Sequence, residues 1–154
     1  MKKNRLLILL TLFIVTVTSV FCFVACTDEK DSAGTLTVVI ATGDNPVEFN
    51  VDIADVEGEN GLFSVLEYLR DNKKITFKYS GTDSSAYLTE INDFVSGTDN
   101  KWIYIYTNVK KDFDVSEYKT EIEYKGQKLT SSGVGVSQMT IEEGALIYIG
   151  TIEF

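Results

Sequence analysis

Apolar positions fall into three kinds of run along the chain, and each predicts a different element. Leu6 to Ala25 is twenty positions without formal charge, preceded by Lys2, Lys3 and Arg5. Further on, Leu36 to Thr42 is continuous and rich in β-branched residues, the pattern of a well-buried strand. Gly43-Asp44-Asn45-Pro46 gathers turn formers. Val47, Phe49, Val51 and Ile53 then alternate with Glu48, Asn50 and Asp52, so a strand with one wet face follows. Together these runs predict an N-terminal hairpin.

The period then changes. Leu62, Val65, Leu66 and Leu69 stand at i, i+3, i+4 and i+7, one apolar stripe of a helix with Glu67, Arg70 and Asp71 turned outwards. Asn60 is placed to cap its start, and Asn72-Lys73-Lys74 to close it beside the C-terminal dipole. A helix this short does not hold itself together in water, so it is expected to lie across a sheet. Period two returns afterwards in Ile75 to Tyr79 and Tyr87 to Ile91. Trp102 to Tyr106 is apolar or aromatic on both sides, as a central strand should be. Glu121 to Tyr124 and Gln127 to Thr130, around Lys125-Gly126, predict a second, exposed hairpin. Ala145 to Phe154 is a last strand. The predicted class is α+β: one helix packed on a mixed sheet, with an N-terminal hairpin and an extra exposed hairpin.

The first run is of another kind. Its basic n-region, apolar h-region and the small Ala25 before Cys26 have the layout of a secretory signal. The Phe23-Val24-Ala25-Cys26 stretch resembles a bacterial lipobox, which implies a lipidated Cys26 as first residue of the processed chain. Cys22 is a poorer acceptor, with bulky Phe21 before it. An uncleaved membrane helix is the competing reading. In both, the basic end stays in the cytoplasm and the rest is exported. The predicted organisation is residues 1–25 as signal, 26–34 as lipidated cysteine and tether, and 35–154 as one domain. The tether Thr27 to Gly34 reaches at most about 28 Å extended and about 15 Å as a coil, which keeps the domain close to the membrane.

Lys2, Lys3 and Arg5 are three of the 14 basic residues, so the exported chain keeps 11 against 23 acidic ones, a formal charge of −12. Such a surface argues against nucleic-acid partners. The chain has no histidine, and its two cysteines are Cys22 and Cys26. Histidine-based nucleophilic catalysis, histidine-ligated zinc and a disulfide in the domain are therefore excluded. Asp55, Glu57 and Glu59 surround Gly58, but a calcium-loop template would put Ile53 first and Ser64 twelfth, so a solvated linker is expected there. Ser131 to Ser137, SSGVGVS, lacks phosphate-loop spacing. No metal or cofactor site and no catalytic residue is assigned. Binding, not turnover, is the expected business of the domain.

Several landmarks in order resemble the transcobalamin-like C-terminal β-grasp domain of bacterial lipoproteins. They are the helix at Gly61-Leu62-Phe63-Ser64-Val65-Leu66, then Tyr87-Leu88-Thr89-Glu90-Ile91-Asn92, then Trp102-Ile103-Tyr104-Ile105-Tyr106-Thr107-Asn108, then Glu143-Gly144-Ala145-Leu146-Ile147. The chain departs at Ile91-Asn92-Asp93, Asn108-Val109 and Glu143-Gly144-Ala145, all in turns. The resemblance implies a ligand-binding module, with cobalamin or a related corrinoid as ligand and a membrane transporter as partner. Trp102, Tyr104 and Tyr106 share one side of their strand and are the candidate platform for a planar ligand, with Tyr87 as a cross-strand addition. The competing account makes them core packed under the helix. Asn92 and Asn108 read as turn formers, and Lys110, Lys111 and Asp112 as a solvated loop. A structural or adhesive module would instead pair through the exposed strands Ile75–Tyr79 or Glu121–Tyr124.

Overall fold

The computed structural model describes residues 34–153; the predicted signal, Cys26 and the tether up to Ala33 lie outside the described residues. The chain builds β1 (Thr35–Ile40), β2 (Val47–Asp52), α1 (Gly61–Asp71), β3 (Phe77–Ser80), β4 (Tyr87–Ile91), β5 (Phe94–Val95), β6 (Lys101–Thr107), β7 (Glu121–Tyr124), β8 (Gln127–Ser131) and β9 (Leu146–Glu153). Among the described residues it is an α+β fold with one α-helix, a six-stranded mixed sheet and a small three-stranded sheet. The large sheet runs β2-β1-β9-β6-β8-β7 and the small one β3-β4-β5. β1 pairs antiparallel with β2 and parallel with β9, while β6 is antiparallel to both β9 and β8. The doubly apolar β1 and β6 are thus inner strands, as their patterns require.

Side-chain alternation divides the large sheet into two differently occupied faces. On the front, Leu36, Val38 and Ile40 of β1 join Ile147 and Ile149 of β9 in the core that α1 covers, with Ile103 and Ile105 packed against it. The helix buries more than its four-residue stripe. Phe63 is 0% exposed and meets Phe77 and Tyr79 of β3 edge-on, with ring centroids 5.9 and 4.8 Å away. The helix is therefore gripped by both sheets.

Its N-terminus is tied differently from the expectation, while its C-terminus closes at Asn72-Lys73-Lys74 as expected. Asn60 makes no side-chain capping bond; its own N–H donates to Ser64 Oγ at 3.1 Å. At the C-terminus Lys73 stands at φ 56°. The Lys73 N–H donates to the Arg70 carbonyl (2.8 Å) and the Lys74 N–H to the Leu69 carbonyl (2.9 Å), the bond pattern of a Schellman motif with lysine where glycine is usual.

The back face is closed by the chain itself. β8 pairs with β6 only at Tyr106↔Ser131 and Thr107↔Thr130. The hairpin then leaves the sheet, and the Tyr124 hydroxyl donates to Glu48 Oε1 at 2.6 Å, with Lys125 paired to the same carboxylate. Glu48 is on β2 and Tyr124 on β7, the opposite edges of the strand order. The β7–β8 hairpin must therefore fold back across the sheet. Leu129 at its base is fully buried, with Val39, Tyr106 and Leu146 beneath.

Two local expectations are corrected, and one short strand is added. The strand expected from Ile75 begins at Phe77; both residues are buried, while Lys78 to Ser80 are exposed on what is the edge strand of the small sheet. Asn92-Asp93 is a two-residue turn, Asn92 at φ 49°, that leads straight into β5; two residues are too few to show a period. Asp112 is 4% exposed and not solvated: its carboxylate accepts from the Thr140 N–H (2.7 Å) and the Thr140 hydroxyl (3.0 Å).

Candidate functional site

Where the two sheets diverge, a cleft of about 490 Å³ opens between β4, β6 and the segment 132–138. This is within the usual range for small-ligand sites. Its walls are Tyr87 and Leu88 from β4, Ile103 to Ile105 from β6, and Val134 and Val136 from the loop, with Ser85, Ser132 and Gln138 as polar points. Nothing on the lining is formally charged, in a chain of net charge −9.

Each wall is held by bonds that the sequence makes necessary. Gln138 Nε2 donates to the Ser84 carbonyl (2.7 Å), and the Ala86 N–H to Ser137 Oγ (3.0 Å), so the loop is stitched to β4. On the other side the Ser132 N–H donates to the Ile105 carbonyl at 2.8 Å. Gly133 is required by close approach: a Cβ there would stand 2.9 Å from Asp114 Cα and 3.0 Å from the Phe113 carbonyl oxygen. Asp112, through Thr140, clamps the far end of the same segment. The glycine-bearing stretch SSGVGVS is thus a wall of the cleft, a role its sequence signals only by glycine spacing.

The residues predicted to form one aromatic platform are split. Tyr87 is 67% exposed and lies in the small sheet, at the cleft, on the side of Ile103 and Ile105. Tyr104 and Tyr106 project to the back face, with rings 5.4 Å apart and inclined at 63°. The chain of rings continues from Tyr106 edge-on to Tyr148 (6.3 Å) and, tilted, from Tyr148 to Tyr124 (5.2 Å). No flat surface results. Tyr106 is buried beneath the hairpin, and Thr120 Oγ1 donates to its hydroxyl at 3.4 Å. Neither expectation for it is met, since the burial is on the side away from the helix. Trp102, opposite Ile152, is 49% exposed, and its indole lies over Gly97, where a Cβ would come within 3.5 Å of the ring. Gly150 faces Tyr104 across the ladder and leaves room for the Tyr148 ring, 2.8 Å from where a Cβ would be.

Two of the back-face tyrosine hydroxyls, Tyr124 and Tyr148, are shifted. The Tyr124 hydroxyl is pushed up to about 12, chiefly because ionising it would forfeit the bond to Glu48 and set two anions together. Glu48 is held below the usual carboxylate range, first by Lys125 and then by Tyr124. Burial, then Tyr106, raises Tyr148. These shifts belong to the hairpin's latch and lie away from the cleft. Asn108 holds the start of β9: its Oδ1 accepts from the Leu146 N–H (2.8 Å) and its Nδ2 donates to the Gly144 carbonyl (3.1 Å). Among the described residues no group of three or more acidic, cysteine or histidine side chains is set to hold a metal ion.

No protein-family model matches the chain, and no curated protein matches it in sequence. Solved structures do. The chain is similar in fold to haptocorrin, crystallised in complex with Cbi, with a TM-score of 0.54 and 13% identity over 79% of this chain. The match spans 25% of haptocorrin's length. It is also similar to a protein of Ruminococcus gnavus ATCC 29149 described as a "putative metal binding protein", with a TM-score of 0.49 and 13% identity, covering 79% of this chain and 98% of that one. At these identities the likeness is one of fold.

Proposed function

We propose that the protein is a lipid-anchored, extracytoplasmic binding lipoprotein, not an enzyme, that takes an uncharged ligand in the β4–β6 cleft. The carrying observation is the lining itself: a hollow without one charged side chain, bounded by tyrosine, aliphatic, serine and glutamine groups, in an otherwise acidic molecule. Such a surface gains from apolar burial and a few hydrogen bonds, and it gives an anion or cation no partner.

The anchor rests on the basic, apolar and small-residue order ahead of Cys26. Residence at the membrane with a short tether suits a protein that passes a ligand to a membrane transporter. The fold likeness to haptocorrin supports testing corrinoids first. A cleft of about 490 Å³ takes in part of so large a ligand and leaves the rest at its mouth, where Tyr87 stands.

Two measurements test this. Labelled fatty acid should enter the wild-type chain and not Cys26→Ala; label retained in the variant would move the anchor elsewhere. Calorimetric titration with cobalamin and its precursors should give saturable heat that Val134→Arg, at the rim, abolishes. Flat titrations across that series would remove the corrinoid class.

A further inference from the structure

The edge of β6 inside the cleft has a hydrogen-bonding pattern of its own. Along β6, alternate residues turn their main-chain groups towards β9 and away from it. Ile105 turns away from β9, since its carbonyl accepts from Ser132; Ile103 does the same, its N–H donating to Ser96 Oγ at 3.1 Å. β8 reaches β6 only from Tyr106 onward, and Gly97 closes the other end by donating its N–H to the Lys101 carbonyl at 2.7 Å. Between these two closures the Ile103 carbonyl and the Ile105 N–H face the cleft, on either side of Tyr104. The Tyr104 ring packs on Tyr106 behind the sheet, so Tyr104 meets the cleft through its main chain.

This leftover pair has a direction. An antiparallel partner would reach these two groups with two different residues, those facing Ile103 and Ile105. Each of them would then hold its other main-chain group against one that Ser96 or Ser132 already engages. A parallel partner instead donates one residue's N–H to the carbonyl before the facing position and accepts from the N–H after it. The Ile103 carbonyl and Ile105 N–H are those two groups, with Tyr104 as the facing position. They lie one residue apart, a spacing that matches the N–H and C=O flanking a single Cα; the nitrogen and oxygen of one primary carboxamide stand too close together to span it.

We infer that the cleft binds an uncharged, extended peptide segment as a short parallel strand on β6, with one residue bridging Ile103 and Ile105 across Tyr104. This deepens the binding reading above and rests on the cleft being the site. The absence of charge on the lining excludes free termini and ionised side chains from the slot. Leu88, Val134 and Val136 receive small apolar side chains on either side, and Tyr87 covers the exposed end.

The experiment uses the full chain, ¹⁵N-labelled in detergent micelles, titrated with acetyl-Val-Ala-Val-amide. Three further peptides each carry one N-methyl group, at successive residues. The inference expects saturable binding, a downfield shift of the Ile105 amide proton, and one methyl position that weakens binding about tenfold or more by removing the donor to Ile103. Val134→Arg should weaken it similarly, and the methylated series decides the matter without any variant. If the peptide binds at cleft residues but tolerates every methyl group, or leaves Ile105 unmoved, the strand bridge is wrong and the cleft stands. If cobalamin shifts the cleft signals and the peptide does not, the ligand class is wrong and the cleft again stands. If neither moves any cleft residue, both readings fall.

Discussion

Replacing Phe63 by alanine should remove more stability than any other single truncation on α1, because this side chain joins the helix to the small sheet. It is fully buried and packed edge-on against Phe77 and Tyr79. A phenylalanine buries about 150–250 Å², which at about 25 cal/mol per Å² is about 4–6 kcal/mol. Extended-chain areas overstate this, while the hole left between helix and β3 adds to it. The expected loss is therefore about 3–5 kcal/mol. Phe63→Leu keeps most of the volume and forfeits mainly the two ring contacts, so about 1–3 kcal/mol is expected. A double-mutant cycle with Tyr79→Leu should return a coupling of about 0.5–1.5 kcal/mol. Urea unfolding followed by circular dichroism measures all three, at constant m-value. A loss below about 1 kcal/mol for Phe63→Ala, with m unchanged, would show that the small sheet does not depend on this contact.

Three other expectations follow from particular residues. Lys73→Gly should stabilise the fold by about 0.5–1 kcal/mol, since Lys73 occupies the left-handed position of the helix C-terminus; thermal or urea unfolding reads this, and a loss would contradict the assigned cap. Trp102→Ala should cost about 1–2 kcal/mol, less than a core tryptophan, because half of the side chain is already in water. The third concerns pH. Tyr124 is raised to about 12 from an ordinary 10, so between these values the unfolded chain loses a proton that the folded chain keeps. Stability present below pH 10 should thus fall as pH rises towards 12, and the fall should be shallower in Tyr124→Phe when the two are compared by urea unfolding.

The framework was legible because periods of two and 3.6 survive in long runs. β2 and β4 bury alternate positions more deeply, α1 buries its apolar stripe, and the mixed class follows from a doubly apolar β1 that pairs on both sides. What escaped has physical causes. β5 is too short to have a period. Asp112 reads as surface because charged residues surround it in sequence, yet its partner is Thr140, which no local pattern connects to it. Ser64 stands among the apolar residues of α1 with no role assigned from the sequence, and its hydroxyl ties down the N-terminus where the Asn60 side chain was expected to.

The aromatic platform failed for a more instructive reason. Alternation does place Tyr104 and Tyr106 on one side of β6, away from the helix, but it says nothing of what else covers that side. The cover is the β7–β8 hairpin, whose turn reaches Glu48 at the opposite sheet edge. That reach depends on how early β8 parts from β6, two residue pairs from the end of the ladder, and no feature of Glu121 to Ser131 encodes that departure locally. The same departure frees the β6 edge from Ile103 to Ile105 and opens the cleft on the front. Covering the back and exposing the edge are thus one event. A pattern that looked like a ligand face is used for packing, while the proposed binding edge runs through the main chain of Ile103 and Ile105.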